Sequence, residues 1–328
     1  MGIQTQSYVN QLENVMSKLI KSTLAAAVVA SLGLGASAAN ASAMVSGVVQ
    51  LNNVQFLNGN GGLVANGTEV QVLSYSQTAN ATVSLNNLNY NSGSITTTPS
   101  DIALKCFGDC TDAGLVNNNF PVYSTANGNP NKTFSYIDQL ETGAPVAGIG
   151  LPTPAFISVG GAVSLIGDNE GDATANNDLT AQFRFIAQSQ AITVSMDVLY
   201  YLEAYVTPGA PLGEYAKGTT YVQWELVSET TGAQQNWEPN GGVAGEPFDL
   251  NDTAFRQDPI GGNDPFAPTG VKAAGNFTKT FNLVAGDFYT LTGRMGVNLD
   301  AKSVPEPGVI ALLGLGLLGL GLARRRAV

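Results

Sequence analysis

Apolar and polar residues alternate through the second half of the chain. Phe183 and Phe185 flank Arg184, and Ile192, Val194, Met196 and Val198 interleave with Thr193, Ser195 and Asp197. A period of two puts every second side chain on one face of a strand, so this stretch predicts sheet with one buried face. Residues 199–206 continue the pattern as far as Pro208-Gly209, and Val222, Trp224 and Leu226 predict a further strand before the turn Glu229-Thr230-Thr231-Gly232. Phe277, Phe281 and Leu283 mark another, joined through Ala285-Gly286-Asp287 to a strand over 288–297. Earlier in the chain, residues 45–51, 69–75 and 82–88 are expected as separate strands, with a turn over the Asn/Gly-rich 58–62. Residues 117–171 are broken up by Pro and Gly and show no clear period. The expectation is an all-β chain: an antiparallel β-sandwich, jelly-roll-like, best defined over 177–299.

Both ends depart from this pattern. Lys18 and Lys21 precede an apolar run over 24–34, and Ala39-Asn40-Ala41 follows. That sequence reads as the basic, apolar and cleavage regions of a secretory signal helix, cut between Ala41 and Ser42, with Met16 as the expected start. At the other end, Pro305, Glu306 and Pro307 lead into residues 309–323, which hold only Val, Ile, Ala, Leu and Gly. The prolines predict extended backbone. The apolar run predicts a transmembrane helix, short against the roughly 20 residues a span usually takes. Arg324, Arg325 and Arg326 then predict a cytoplasmic stop, which places the body on the outer side of the membrane. The chain therefore divides into 1–41, an exported body over 42–303, and a tail over 304–328.

Composition narrows the chemistry. Of 14 Lys/Arg and 25 Asp/Glu residues, the ends hold Lys18, Lys21, the three tail arginines, Glu13 and Glu306, leaving 9 basic and 23 acidic in the body. A body of net charge −14 is a poor partner for nucleic acid, which is bound through basic patches. The chain has no histidine, which removes the usual serine and cysteine triads and the commonest general base. A glycan hydrolase needs only two carboxylates; Glu203, Glu225 and Glu238 are candidates, but an acidic body supplies such residues by chance. The chain is read as a non-enzyme.

Cys106 and Cys110 are the only cysteines, and in an exported chain they are expected to form a small disulfide loop. Closing so short a loop stabilises by under about 3 kcal/mol. Zinc would lack two ligands there unless Asp109 and Asp112 contributed. Asp168, Glu170 and Asp172 alternate as oxygen ligands do in half of a calcium loop, yet the full spacing is missing. A solvated acidic turn is the favoured reading, with no cofactor and calcium as the alternative. Asn-x-Thr triplets at Asn66, Asn80, Asn131, Asn251 and Asn276 are read as surface turns. Trp224, Trp237, Tyr200, Tyr201, Tyr205 and Tyr221 could form an aromatic platform for sugar rings. Trp224 falls in phase with the core, so Trp237, in a Gln/Asn/Pro/Gly-rich segment, is the candidate glycan contact.

The Pro-Glu-Pro segment, apolar run and three arginines together resemble the PEP-CTERM sorting signal of exosortase substrates in Gram-negative, biofilm-forming bacteria. That resemblance implies signal peptidase and exosortase as processing partners. It also implies a transient inner-membrane intermediate, then residence at the cell surface or in an extracellular polysaccharide matrix. The body, from Phe183-Arg184-Phe185 through Tyr201-Leu202-Glu203-Ala204-Tyr205 and Gln235-Asn236-Trp237-Glu238 to Ala285-Gly286-Asp287-Phe288, resembles the EDSAP family of PEP-CTERM proteins. It lacks a literal Glu-Asp-Ser-Ala-Pro. The EDSAP resemblance implies fold and context but no mechanism. With the sorting resemblance, the favoured reading is a structural or interaction role in exopolysaccharide, and the aromatic residues make a carbohydrate-binding module the alternative.

Overall fold

Alternation becomes strand wherever one face is covered, and it does so over long distances in this chain. The computed structural model describes residues 42–96, 101–120, 132–142, 155–166, 171–206, 213–239, 253–257 and 271–304. Among them lie β1 (Ser42–Leu57), β2 (Val70–Leu85), β3 (Leu88–Asn91), β4 (Ile102–Gly108), β5 (Phe134–Thr142) and β6 (Ala155–Ile166). These are followed by β7 (Gly171–Ala187), β8 (Ala191–Val206), β9 (Tyr215–Ser228), β10 (Gln234–Trp237), β11 (Thr253–Gln257), β12 (Val271–Asn282) and β13 (Phe288–Ser303). There is no helix among the described residues. The signal segment, the apolar tail, Ala41, Pro305, Glu306, Pro307, Arg324, Arg325 and Arg326 lie outside them.

The strands form two antiparallel sheets. One runs β12-β8-β1-β6-β5-β4; the other runs β10-β9-β13-β7-β2-β3, with β11 also on β9. Residues Ala41–Pro305 make one compact unit. The inward residues of both sheets share one core. Val45, Val49, Leu51 and Phe56 of β1 meet Phe183 of β7, Trp224 of β9 and Leu291, Val297 and Leu299 of β13. The Phe56 ring sits edge-on to Phe183 at 5.1 Å and to Trp224 at 6.1 Å between centroids. Each such ring removes enough apolar surface from water to contribute about 1.5–3 kcal/mol. The sheets approach closely at Gly218, where a Cβ would lie 2.6 Å from Val45 Cγ2 and 2.8 Å from Leu202 Cδ1.

Several strand expectations are corrected. Residues 69–75 and 82–88 belong not to two strands but mainly to one, β2, which turns at Asn86 (φ 54°) into β3. The unpatterned middle holds β5 and β6, both within the first sheet. The Asn80 and Asn276 triplets lie within β2 and β12 rather than in turns. The best-defined strands over 177–299 are built into sheets with the earlier part of the body. Strand β8 pairs with β1 from Ala43 to Leu57, and β7 pairs with β2 from Val70 to Leu85.

A smaller cluster sits on the outward face of the first sheet, where Phe134, Tyr136 and Ala162 pack against Leu104, Cys106, Ala113 and Leu115. The residues after β4, as far as Phe120, lie over this face as a strap, headed by the disulfide between Cys106 and Cys110. Downstream, the Asn118 amide donates to Asp138 Oδ2 at 2.7 Å. Phe120 covers Gly160, where a Cβ would come within 2.9 Å of its ring.

Candidate functional site

The first residues of β1 lie opposite the last of β6 and β8: Ser42 faces Ile166 and Ala43 faces Val206. At the other end of the body's chain, Ser303 of β13 faces Gly171, the first residue of β7, and Lys302 faces Tyr215, the first of β9. The space for a Cβ on Gly171 is 3.5 Å from Leu165 Cδ2 of β6, which ties these strand ends together. The body therefore begins and ends at one pole. Only Val304 separates β13 from Pro305. Two residues reach at most about 7 Å when extended, so the Pro-Glu-Pro segment starts beside the folded pole.

The outward face of the second sheet carries a polar grid that rises from this pole. Register places Lys217, Asp300, Thr174 and Ser84 in one row across β9, β13, β7 and β2. Thr219, Asn298, Asn176 and Thr82 form the next, and Tyr221, Gly296, Asp178 and Asn80 the one after. A trough of about 300 Å³ lies over the first two rows, lined by Thr174, Asn176, Lys217, Thr219, Asn298 and Asp300, with Leu299 of β13 as its one apolar contributor.

Hydrogen bonds within the sheet hold this lining in place. The Thr174 and Ser84 hydroxyls are 2.8 Å apart, and Asn176 Nδ2 donates to Thr82 Oγ1 at 3.3 Å. At the polar end, the Tyr215 hydroxyl donates to Asp300 Oδ2 at 3.0 Å; burial and that carboxylate push the phenol up to about 12. At the far end, the Tyr221 hydroxyl crosses β13 to donate to Asp178 Oδ1 at 2.5 Å. Burial raises the Asp178 carboxyl, opposed by this hydrogen bond, and burial followed by Asp178 raises the phenol. The bridge needs glycine beneath it. A Cβ on Gly296 would lie 2.5 Å from Asp178 Oδ1 and 2.7 Å from the Tyr221 oxygen.

Of the residues singled out in the sequence, Ser42 opens β1 at the pole. Trp237 is in β10 rather than a loop; it lies opposite Trp224, is half-buried and packs on the core. Asp168 and Glu170 lie outside the described residues. Asp172 is exposed, with Lys302 Nζ 3.8 Å away. No group of three or more His, Cys, Asp or Glu side chains converges among the described residues. Glu203 is buried on β8 and accepts a hydrogen bond from Tyr201. Glu225 belongs to β9 of the other sheet and Glu238 follows the end of β10, with Gln223 Nε2 3.4 Å from Glu238 Oε1. The structure thus separates Glu203 from the other two carboxylates.

A second space, beside Trp224, is only about 20 Å³ and apolar, which leaves no room for a ligand larger than water. The trough residues were missed in the sequence. Their signal was the polar half of two alternations, Thr174-Asn176-Asp178 and Lys217-Thr219-Tyr221, of which only Tyr221 had been noted.

Residues 303–326 match the family model of the PEP-CTERM protein-sorting motif. The match begins at the last residue of β13 and ends at Arg326. Such a motif marks an exported protein that is targeted to exosortase and sorted, in association with the membrane, toward the cell surface. The match covers the tail alone, and the body's resemblance to the EDSAP family has no counterpart in it. No curated protein and no solved structure matches the chain.

Proposed function

We propose that the chain is a surface or extracellular-matrix protein of a Gram-negative bacterium. Signal peptidase cuts it before Ser42, exosortase processes it at the Pro-Glu-Pro segment, and its EDSAP-like β-sandwich body serves a structural or interaction role in exopolysaccharide. The observation that carries this reading is the shared pole. Both membrane-directed segments leave the body at one end, one residue from β13 in the case of the tail. The strands that open and close the body, β1 and β13, each run 16 residues, about 50 Å, and give the sheets long outer faces.

The test replaces Pro305, Glu306 and Pro307 with alanines. Proline opposes helix by about 3 kcal/mol relative to alanine, so the variant's helix continues out of the bilayer and Glu306 is lost as a recognition handle. It is expected to insert normally but to remain uncleaved in the inner membrane. Intact-mass analysis should show the wild-type surface protein starting at Ser42 and lacking residues 309–328. Normal processing of the alanine variant would reduce the tail to a plain anchor.

A further inference from the structure

We infer that the trough on the outward face of the second sheet binds a neutral polysaccharide chain laid across strands β9, β13 and β7. This rests on the exopolysaccharide reading above and names the surface and the class of glycan.

The chemistry of the lining selects the ligand. Asn176 and Asn298 each offer an amide donor and acceptor, and Thr174 and Thr219 offer hydroxyls that do both. Sugar hydroxyls also donate and accept, so they match such a surface group by group. An apolar peptide finds no pocket here, because the side chains over the two rows are amides, hydroxyls and one opposite-charge pair. Lys217 and Asp300 lie opposite each other in register, one positive and one negative residue, so the lining carries no net charge of its own. A polyanion would meet Lys217 beside Asp300, with Asp178 in one neighbouring row and the Lys302–Asp172 pair in the other, on a body of net charge −14. A neutral hydroxyl-rich polymer pays no such penalty.

Geometry adds a second argument. Adjacent strands lie about 4.8 Å apart, close to the length of one pyranose unit, so a chain crossing the strands meets a new strand with nearly every sugar. The Tyr221–Asp178 bridge bounds one side of the trough and the Tyr215–Asp300 pair the other. Thr174 and Asn176 are held before any ligand arrives, by their hydrogen bonds to Ser84 and Thr82, so these two lose little side-chain entropy on binding.

The test uses the full chain in detergent micelles and affinity electrophoresis through gels containing dextran, amylose, β-1,3-glucan or galactomannan, with alginate and polygalacturonate as acidic comparators. The wild type should be retarded by at least one neutral polymer. Asn176→Ala with Asn298→Ala should weaken that binding at least tenfold, whereas Gln182→Ala, on the same face beyond the trough, should leave it unchanged. Tyr221→Phe keeps the ring and removes the bridge, and should weaken binding several-fold. Melting curves on every variant separate lost binding from lost fold; if the double variant unfolds, Tyr221→Phe and Thr219→Ala decide. Equal retardation of wild type and trough variants overturns the site and leaves the polysaccharide reading standing. Retardation by the acidic polymers alone overturns the neutral class. Absence of retardation by any polymer overturns both the site and the reading beneath it.

Discussion

Asp138 is buried on the outward face of β5, under the strap that runs from the disulfide to Phe120. Burial pushes its carboxyl up to about 7; hydrogen bonds from the Asn118 and Asn119 amides oppose the shift, and Asp101 adds to it. The unfolded chain holds an aspartate near 3.9. Above about pH 7 the group is charged in both states, and the folded state bears the cost of burying that charge. As pH falls from about 7 to about 4, the folded state takes up the proton first, so this group makes the body more stable in acid. Asp197, Glu229 and Asp287 act in the opposite direction. Hydrogen bonds from Asn276 and Asn53, from Arg184 and Thr290, and from Thr230 and Ser228 hold them below the usual carboxylate range. Their contribution is lost only below about pH 4, where they protonate. Urea melts at half-unit pH steps should therefore show an Asp138→Asn variant losing part of the wild type's gain between pH 7 and 4. An unchanged slope would mean that Asp138 does not titrate in that window. Two residues show what a sequence exposes at this scale. Trp224 was legible as core because Val222 and Leu226 share its phase, whereas Asp138 gave no sign because its neighbours do not alternate.

That failure belongs to the strand rather than to the residue. Alternation arises when one face meets the core and the other meets water. In β5 residues 134–139 are all buried, the inner face by the second sheet and the outer by the strap, so Phe, Ser, Tyr, Ile, Asp and Gln follow one another without a period. The second halves of β7 and β9 and the first half of β8 alternate because one face of each carries polar residues, and these parts were found. β2 was split in two because its middle, Ser74 to Asn80, is polar or small, while Ala79 and Gln77 are nonetheless buried. The strap itself is held at one end by the disulfide between Cys106 and Cys110 and downstream by Asn118 and Phe120. A five-residue loop contributes about 2 kcal/mol on the chain-entropy model, small against the core. Replacing both cysteines with serine should accordingly loosen the strap and leave the sheets intact. Hydrogen exchange should quicken over 104–120 while β1, β7 and β13 keep their protection. The native thiols should resist alkylation until reduced. Equal loss of protection in β13 would show the loop to be a keystone of the whole fold.

At the scale of the molecule, the two sheets interleave the early and late parts of the chain, which no local pattern reveals. β1, the first strand of the body, is central in one sheet, and β13, the last, is central in the other between β9 and β7. During export from the N-terminus, the second sheet therefore cannot join its halves until residue 303 has crossed the membrane. The sorting motif follows after Val304 alone. An enzyme that reads extended backbone around Pro305 needs several free residues on either side, but those upstream are paired within the sheet, Ser303 with Gly171 on one side and Lys302 with Asp172 and Tyr215 on both. Cleavage of a folded body must then fray the end of β13. Each hydrogen bond opened costs about 0.5–1.5 kcal/mol, so freeing two or three residues slows the reaction by tenfold or more. Inserting ten Gly/Ser residues between Val304 and Pro305 should relieve this crowding and speed tail removal at least tenfold, measured by pulse-chase of the precursor. Destabilising the end of β13 by Ala301→Asp should speed removal as well, without a linker. If neither change alters the rate, cleavage runs ahead of β13 docking, and the folded pole plays no part in timing the release of the protein from the membrane.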